Sequence, residues 1–258
     1  MKKAIILAGG LGTRLAPYTT VFPKPLMPLG NHPILEVIIC QLREHGFTDI
    51  TLAVGYLAHL LQTYFGDGSR FGVNIHYSFE EEPLGTAGPL KLVENLTEPF
   101  LVMNGDVLTN LNYSELYAHH LLHDAAATIS IYPKKVKIDL GVLELDENSQ
   151  VRRYIEKPTY SYDVSMGIYI LSPETLRYIP ANQRYDLPTL VEHLMADGER
   201  VSAYHCKGEW LDIGRPDDYA HAVEQYHNLI DVSILPNGSV TRPLPPVNLG
   251  TGPIVASK

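Results

Sequence analysis

The residues best placed to do chemistry lie in Leu7-Ala8-Gly9-Gly10-Leu11-Gly12-Thr13-Arg14-Leu15, directly after an apolar run. Glycines at the end of a buried strand let backbone N–H groups approach and cradle phosphate oxygens. Two common phosphate motifs do not fit. A Walker A loop needs Gly-Lys five residues after its first glycine, and Arg14 stands five after Gly9. A dinucleotide fingerprint counted from Gly10 ends on Leu15 instead of glycine. The loop is a third type, with Ala8, Gly9, Gly10, Gly12, Thr13 and Arg14 as its candidate binding residues. Ten residues beyond Arg14, Lys24 is held between Pro23 and Pro25, which stiffen the backbone. An arginine and a lysine bracketing a glycine loop suit a polyphosphate. Asp106 and Asp212 each read alone as turn or cap residues. Together with phosphate oxygens they form a set that Mg²⁺ accepts, because Mg²⁺ keeps waters and rarely takes an all-protein cage.

The elements that position these residues follow from periodicity. Residues 3–8 are apolar at every position, as in a parallel strand covered on both faces. Residues 33–46 carry helical spacing and stop at Gly46. Strands are predicted at 49–54, 73–78 and 100–103, with helices over 57–65 and 86–95, Thr86 being a sensible N-cap. The alternation predicts a doubly wound, mostly parallel α/β sheet, with both the glycine loop and Asp106 at its carboxyl edge, where open α/β folds bind ligands. The second half predicts strands at 126–132, 140–145, 150–155 and 164–171, and helices after Asp186 and Pro216. It is expected as an insertion on the same sheet, forming one wall of a cleft. The catalytic unit is expected over 1–228, with halves of about 1–125 and 126–228, and a Pro/Gly-rich tail over 229–258 that is extended or loosely packed and offers an oligomer contact.

Composition excludes several classes. The chain has 258 residues and a formal charge of −9, with no long basic run, which argues against nucleic-acid and membrane-surface partners. Cys40 and Cys206 stand far apart, so neither a disulfide scaffold nor a thiolate zinc site is expected. No apolar run reaches the ~18 residues of a membrane span, and a cytoplasmic protein is expected. His119, His120 and His123 have helical spacing, but a solvated or half-buried helix face explains them better than a metal site. Trp210 reads as a core or cleft-wall aromatic.

The motifs Gly10-Leu11-Gly12-Thr13-Arg14-Leu15, Pro23-Lys24-Pro25-Leu26, Val54-Gly55-Tyr56, Glu82-Pro83-Leu84-Gly85-Thr86-Ala87-Gly88, Asn104-Gly105-Asp106, Glu156-Lys157-Pro158, Gly167-Ile168-Tyr169 and Trp210-Leu211-Asp212-Ile213-Gly214 occur in order. Together they resemble the signature of sugar-1-phosphate nucleotidylyltransferases in a short form, most like mannose-1-phosphate guanylyltransferases. The resemblance implies the reaction NTP plus sugar 1-phosphate to NDP-sugar plus pyrophosphate. It implies Mg²⁺ on Asp106 and Asp212, and catalytic roles for Arg14, Lys24 and Asp106. Glu82, Gly85 and Thr86 would line the nucleobase. Lys157 would bind the sugar 1-phosphate and Glu156 the sugar hydroxyls, with Gly141, Ser165 and Gly167 beside the sugar. Ser165-Met166-Gly167 departs from the commoner asparagine pattern and is similar to ADP-glucose enzymes, which leaves the sugar open. The absence of a glutamine between Tyr64 and Gln150 favours a purine, GTP first, with mannose or heptose 1-phosphate as acceptor. ATP, UTP, dTTP or CTP enzymes, a non-catalytic regulatory subunit and a generic Rossmann-like binding protein are the alternatives. A homo-oligomer is expected.

Overall fold

The computed structural model describes residues 1–235. Its spine is a seven-stranded sheet built from β1 (Lys2–Leu7), β2 (Phe47–Val54), β3 (Asn74–Phe79), β4 (Phe100–Asn104), β6 (Ala127–Lys137), β9 (Thr159–Leu171) and β10 (Val201–His205). The spatial order is β10-β6-β9-β4-β1-β2-β3. The run β4-β1-β2-β3 is parallel, β10 is parallel to β6, and β9 is antiparallel to both its neighbours. Three short ribbons complete the strands among the described residues: Pro28–Leu29 pairs with His32–Pro33, β5 (Val107–Thr109) with β11 (Trp210–Asp212), and β7 (Val142–Leu145) with β8 (Val151–Ile155).

The reason for the apolar run in β1 is visible in its burial. Ala4 and Ile6 join one core with α1 (Ile34–Glu44), α2 (Ala58–Phe65) and α3 (Tyr113–His123), while Ile5 joins a second core with α4 (Leu187–Ala196) on the opposite face. Helices on both faces leave no polar position over residues 4–7. α5 (Pro216–Leu229) closes the first core through Ala222 and Tyr226, and carries Pro216 in its first turn as expected.

Two expectations change. The segment 86–95 forms only a 3₁₀ turn over Gly88–Leu92. Its backbone donors are spent across the chain: Thr86 N–H on the Asp186 carboxylate, and Ala87 and Gly88 N–H on the Tyr185 carbonyl. Gly85 at φ +79° and Pro89 further oppose a helix. Thr86 does cap a helix, but a distant one, since its Oγ1 accepts from Leu187 N–H at 2.8 Å at the start of α4. In the second half, β6 and β9 run well past the lengths expected for them and carry the β7–β8 ribbon between them as a projecting arm. The expected tail past residue 235 lies outside the described residues; before it, Leu235 is buried and Ile234 accepts from Arg43.

The histidines split. His119 and His123 stack with ring centroids 4.0 Å apart. His120 does not lie on a solvated face: it follows Tyr113 and Leu116 along the apolar side of α3, is 1% exposed, and bonds Thr128 Oγ1 and Ser172 Oγ through its two ring nitrogens. Among the described residues no three His, Cys, Asp or Glu side chains are grouped to hold a metal. Cys40 and Cys206 are free and buried, and no described helix is long and apolar enough to cross a membrane.

Burial lowers the His120 pKa from 6.5 to about 4, so folding prefers the neutral ring. The unfolded chain protonates first as pH falls; stability from this residue is complete above pH 6.5 and is lost progressively down to about 4. Denaturant titrations should therefore show His120→Gln losing about 2–3 kcal/mol less than the wild type between pH 6.5 and 4.5. Equal losses would mean that the ring escapes its pocket when charged.

Candidate active site

The carboxyl ends of β1, β2, β3 and β4 come to one edge because Leu7 is in register with Ala53 on one side and Asn104 on the other. The links continue past the strands: Ala8 N–H bonds Ala53 O at 2.8 Å, Gly105 N–H bonds Leu7 O at 2.9 Å, and Glu80 N–H bonds Val54 O at 3.0 Å. The loop after β1 then turns on Gly12, at φ +62°, into a 3₁₀ turn Thr13–Leu15. Leu15 is buried as the anchor while Arg14 stays exposed. A Cβ on Gly12 would lie 2.9 Å from Thr19, whose hydroxyl donates to the Gly12 carbonyl at 2.7 Å. A Cβ on Gly10 would meet nothing within 4 Å, so its bareness serves the cleft rather than packing.

Lys24 opens a 3₁₀ turn between its prolines and is nearly buried, with Nζ donating to Asp106 Oδ2. The other oxygen, Asp106 Oδ1, is buried and has no hydrogen-bond partner. Asp212 reaches the same place by a second route. It pairs with Val107 across the β5–β11 ribbon, and Ile213 N–H bonds Asp106 O at 3.1 Å. Its carboxyl pKa is raised by desolvation first and by the charge of Asp106 second, against the pull of Lys24 and Arg14. Arg14 Nη1 and Asp212 Oδ2 flank Gly214, 3.4 and 3.6 Å from where a Cβ would stand. An orphaned buried carboxylate oxygen beside a second, partly desolvated carboxylate fits a divalent cation whose remaining ligands are substrate phosphates and water.

Three adjoining cavities form the cleft. The central one, about 410 Å³, is lined by the glycine loop, Arg14, Lys24 and Asp106. On one side a cavity of about 580 Å³ is lined by Gly9, Gly10, Tyr56, Glu80, Glu81, Glu82, Gly85, Thr86 and Asp186. On the other, a cavity of about 610 Å³ is reached past Arg14 and Gly214, and is walled by Tyr132, Trp210 and Asp212. Ala8, Gly9, Gly10, Gly12, Thr13, Arg14, Lys24 and Asp106 thus converge, with Glu82, Gly85 and Thr86 on one side and Asp212 on the other.

Gly141, Glu156, Lys157, Ser165 and Gly167 line none of the three cavities. Gly141 lies under the ring of Tyr154, whose hydroxyl donates to Glu156 Oε2 at 3.0 Å. Lys157 and Glu156 are exposed on the arm, 3.9 Å apart. Ser165 Oγ bonds Tyr169 OH at 3.0 Å and accepts from Gly167 N–H at 3.3 Å. Gly167, at φ +72°, makes room for Asn104, which lines the cavity beside Glu80. The sequence reading missed Glu80, Asp186 and Lys134. Glu80 was within reach, being the residue that follows a strand at the ligand-binding edge.

A Gly-rich loop with two cations at the carboxyl edge of an α/β sheet, facing two carboxylates, is an arrangement whose charges suit a phosphate chain and a divalent cation. The family named nucleotidyl transferase matches residues 3–228, and the chain belongs to it. Among curated relatives, UTP–glucose-1-phosphate uridylyltransferase of Synechocystis is 37% identical over 241 residues, covering 86% of this chain and 62% of the relative. Mannose-1-phosphate guanyltransferase of Schizosaccharomyces pombe is 37% identical over 233 residues, covering 84% and 62%. The chain therefore spans a little under two thirds of the length of these relatives. The structure of HddC from Yersinia pseudotuberculosis complexed with GMP-PN is 28% identical with a TM-score of 0.66, covering 88% of this chain and 100% of that one. A Bacillus anthracis structure at 23% identity and TM-score 0.73, covering 90% and 97%, shares the fold.

Proposed function

We propose that the chain transfers a guanylyl group from GTP to a sugar 1-phosphate, with mannose or heptose 1-phosphate as acceptor, giving a GDP-sugar and pyrophosphate. The observation that carries this is the convergence of Arg14, Lys24, Asp106 and Asp212 on the glycine loop. The loop's backbone holds the triphosphate, and Arg14 and Lys24 bracket its charge. Asp106 and Asp212 would hold Mg²⁺, which when bound neutralises charge on the α-phosphate. The acceptor's phosphate oxygen attacks the α-phosphorus and the bond to the β-phosphate oxygen breaks. A phosphate monoester is already ionised at neutral pH, so no side chain has to remove a proton. Keeping all four charged residues has no purpose in a subunit that binds without turnover.

The base assignment rests on the cavity beside Gly85. Glu80, Glu81 and Glu82 line it, and carboxylates only accept hydrogen bonds. Guanine presents two adjacent donors, N1–H and the 2-amino group, whereas uracil, thymine and adenine do not. The names of the relatives divide between UTP and GTP enzymes, so the test is direct. Pyrophosphate release measured over five NTPs and a panel of sugar 1-phosphates should favour GTP over ATP by at least roughly tenfold in kcat/KM. A preference for UTP, dTTP or CTP would reject the purine reading, and no turnover with any pair would reject the enzyme itself.

A further inference from the structure

We propose that Asp186 is a positioning residue of the nucleotide site, holding the loop Leu84–Gly88 in the shape that meets the base; this rests on the reading above that the cavity beside Gly85 takes the base. Asp186 stands at the N-cap position of α4, where an aspartate ordinarily accepts from the first backbone N–H groups of its own helix. Its side chain makes no such bond. Oδ1 accepts instead from Thr86 N–H at 3.0 Å and from the Thr86 hydroxyl at 3.3 Å. That hydroxyl in turn accepts from Leu187 N–H at 2.8 Å. The two side chains have exchanged tasks: the loop caps the helix, and the helix's own aspartate is spent on the loop.

The exchange sits within a wider clamp. Tyr185 N–H donates to Leu84 O at 2.9 Å, and Tyr185 O accepts from Ala87 N–H at 2.9 Å and Gly88 N–H at 3.0 Å. Gly85, at φ +79°, is pressed against the same segment: a Cβ there would lie 2.6 Å from Asp186 Oδ1 and 2.7 Å from Tyr185 O. The N–H groups of Thr86, Ala87 and Gly88 are thus spent on Tyr185 and Asp186, and the Thr86 hydroxyl on Asp186 and Leu187. What the loop gives the base is its wall at Gly85. Leu84–Ala87 belong to no helix or strand, and a pocket wall of that kind keeps its shape only through its supports. Asp186 lines the same cavity as Glu82, Gly85 and Thr86. Its Oδ2 lies 3.8 Å from Arg184 Nε, so the carboxylate's charge partner and its hold on the loop fall on different oxygens and can be removed separately.

The experiment is steady-state kinetics and a melting curve for the full chain and for Asp186→Ala, Asp186→Asn, Thr86→Val and the double variant of Asp186→Ala with Thr86→Val. The substrates are the NTP that the wild type turns over best (GTP on the reading above), its 2′-deoxy form and the sugar 1-phosphate. Asp186→Ala should raise KM for the NTP by roughly tenfold, with kcat and KM for the sugar 1-phosphate changed less than about threefold. Asp186→Asn keeps an oxygen for Thr86 and loses only the charge beside Arg184, so it should restore most of that loss. Thr86→Val should raise the same KM, and by a smaller factor when added to Asp186→Ala, because both act through one contact. Should Asp186→Ala not fold, Thr86→Val carries the test through the same selective rise. A wild-type KM for the NTP in folded Asp186→Ala or Thr86→Val overturns the inference, and so does an equal rise for both substrates. An Asp186→Asn as impaired as Asp186→Ala would assign the effect to charge, and a rise absent with the 2′-deoxy nucleotide would assign it to a direct bond with the ribose; either overturns it. If the wild type turns over an NTP and the variants match it, only this inference falls; if the wild type turns over none with any sugar 1-phosphate, the proposed function falls with it.

Discussion

Asp106→Asn should lower kcat by roughly a hundredfold or more while the protein stays folded. The substitution is close to isosteric, so the amide oxygen can still accept from Lys24 Nζ and the turn after β4 keeps its shape. What changes is the second position. Asp106 Oδ1, buried and without a partner, becomes an NH₂ group or a neutral oxygen, and neither is the anionic ligand that Mg²⁺ requires. Asp212→Asn should act in the same direction, since the two carboxylates come from the two sides of one ribbon, Asp106 just before β5 and Asp212 at the end of β11, and each supplies charge the other cannot. The loss should fall on kcat more than on KM for the nucleotide, because charge on the phosphates shifts most in the transition state. Turnover at saturating Mg²⁺, Mn²⁺ binding followed by electron paramagnetic resonance, and a melting curve decide the matter together. A folded Asp106→Asn variant with normal Mn²⁺ affinity and full turnover would remove this carboxylate from the metal site.

That the pair meets at all is only half legible in the sequence. Asp106 could be placed, because a strand that is apolar throughout must run inside the sheet and its next residues must emerge at the carboxyl edge. The same logic placed the loop over 8–15. Asp212 could be assigned only by resemblance, since it arrives on a three-residue ribbon with no periodicity to read. The helix expected over 86–95 failed for a related reason. Its apolar spacing was real, and Leu90 is fully buried, but the backbone donors at its start are satisfied by residues a hundred positions away. Local pattern cannot report a partner supplied by tertiary structure. The arm is harder still: Val142, Leu143, Leu145 and Val151 alternate weakly, and most of their apolar area stays exposed, so burial, the signal that fixes register, is missing.

The base pocket is where sequence and structure say most when combined. The absence of a glutamine argues against a uracil or thymine edge, and under the proposed guanylyl reading Glu80 is the residue of that cavity that would meet the base. Glu80 Oε2 accepts from Leu84 N–H at 2.8 Å, which fixes the side chain, and Oε1 lies 2.8 Å from where a Cβ on Gly9 would be, facing the glycine loop. Desolvation raises the Glu80 pKa, and no described cation pairs with it. A half-buried carboxylate held this way gains most from a ligand that brings two donors side by side, which is the edge of guanine. Glu80→Gln keeps the shape and the bond to Leu84, but turns an NH₂ group toward the base. The guanine donors then face a donor, whereas the N3–H and O4 pair of uracil finds complementary groups. The ratio of kcat/KM for GTP to that for UTP should drop by roughly a hundredfold, mostly through loss with GTP. Both values must be measured at the same sugar phosphate concentration for wild type and variant. An equal fall with both nucleotides would mean that Glu80 only shapes the turn at Leu84. An unchanged ratio would move the reading of the base to Glu81 or Glu82, which line the same cavity but lack a backbone donor to hold them.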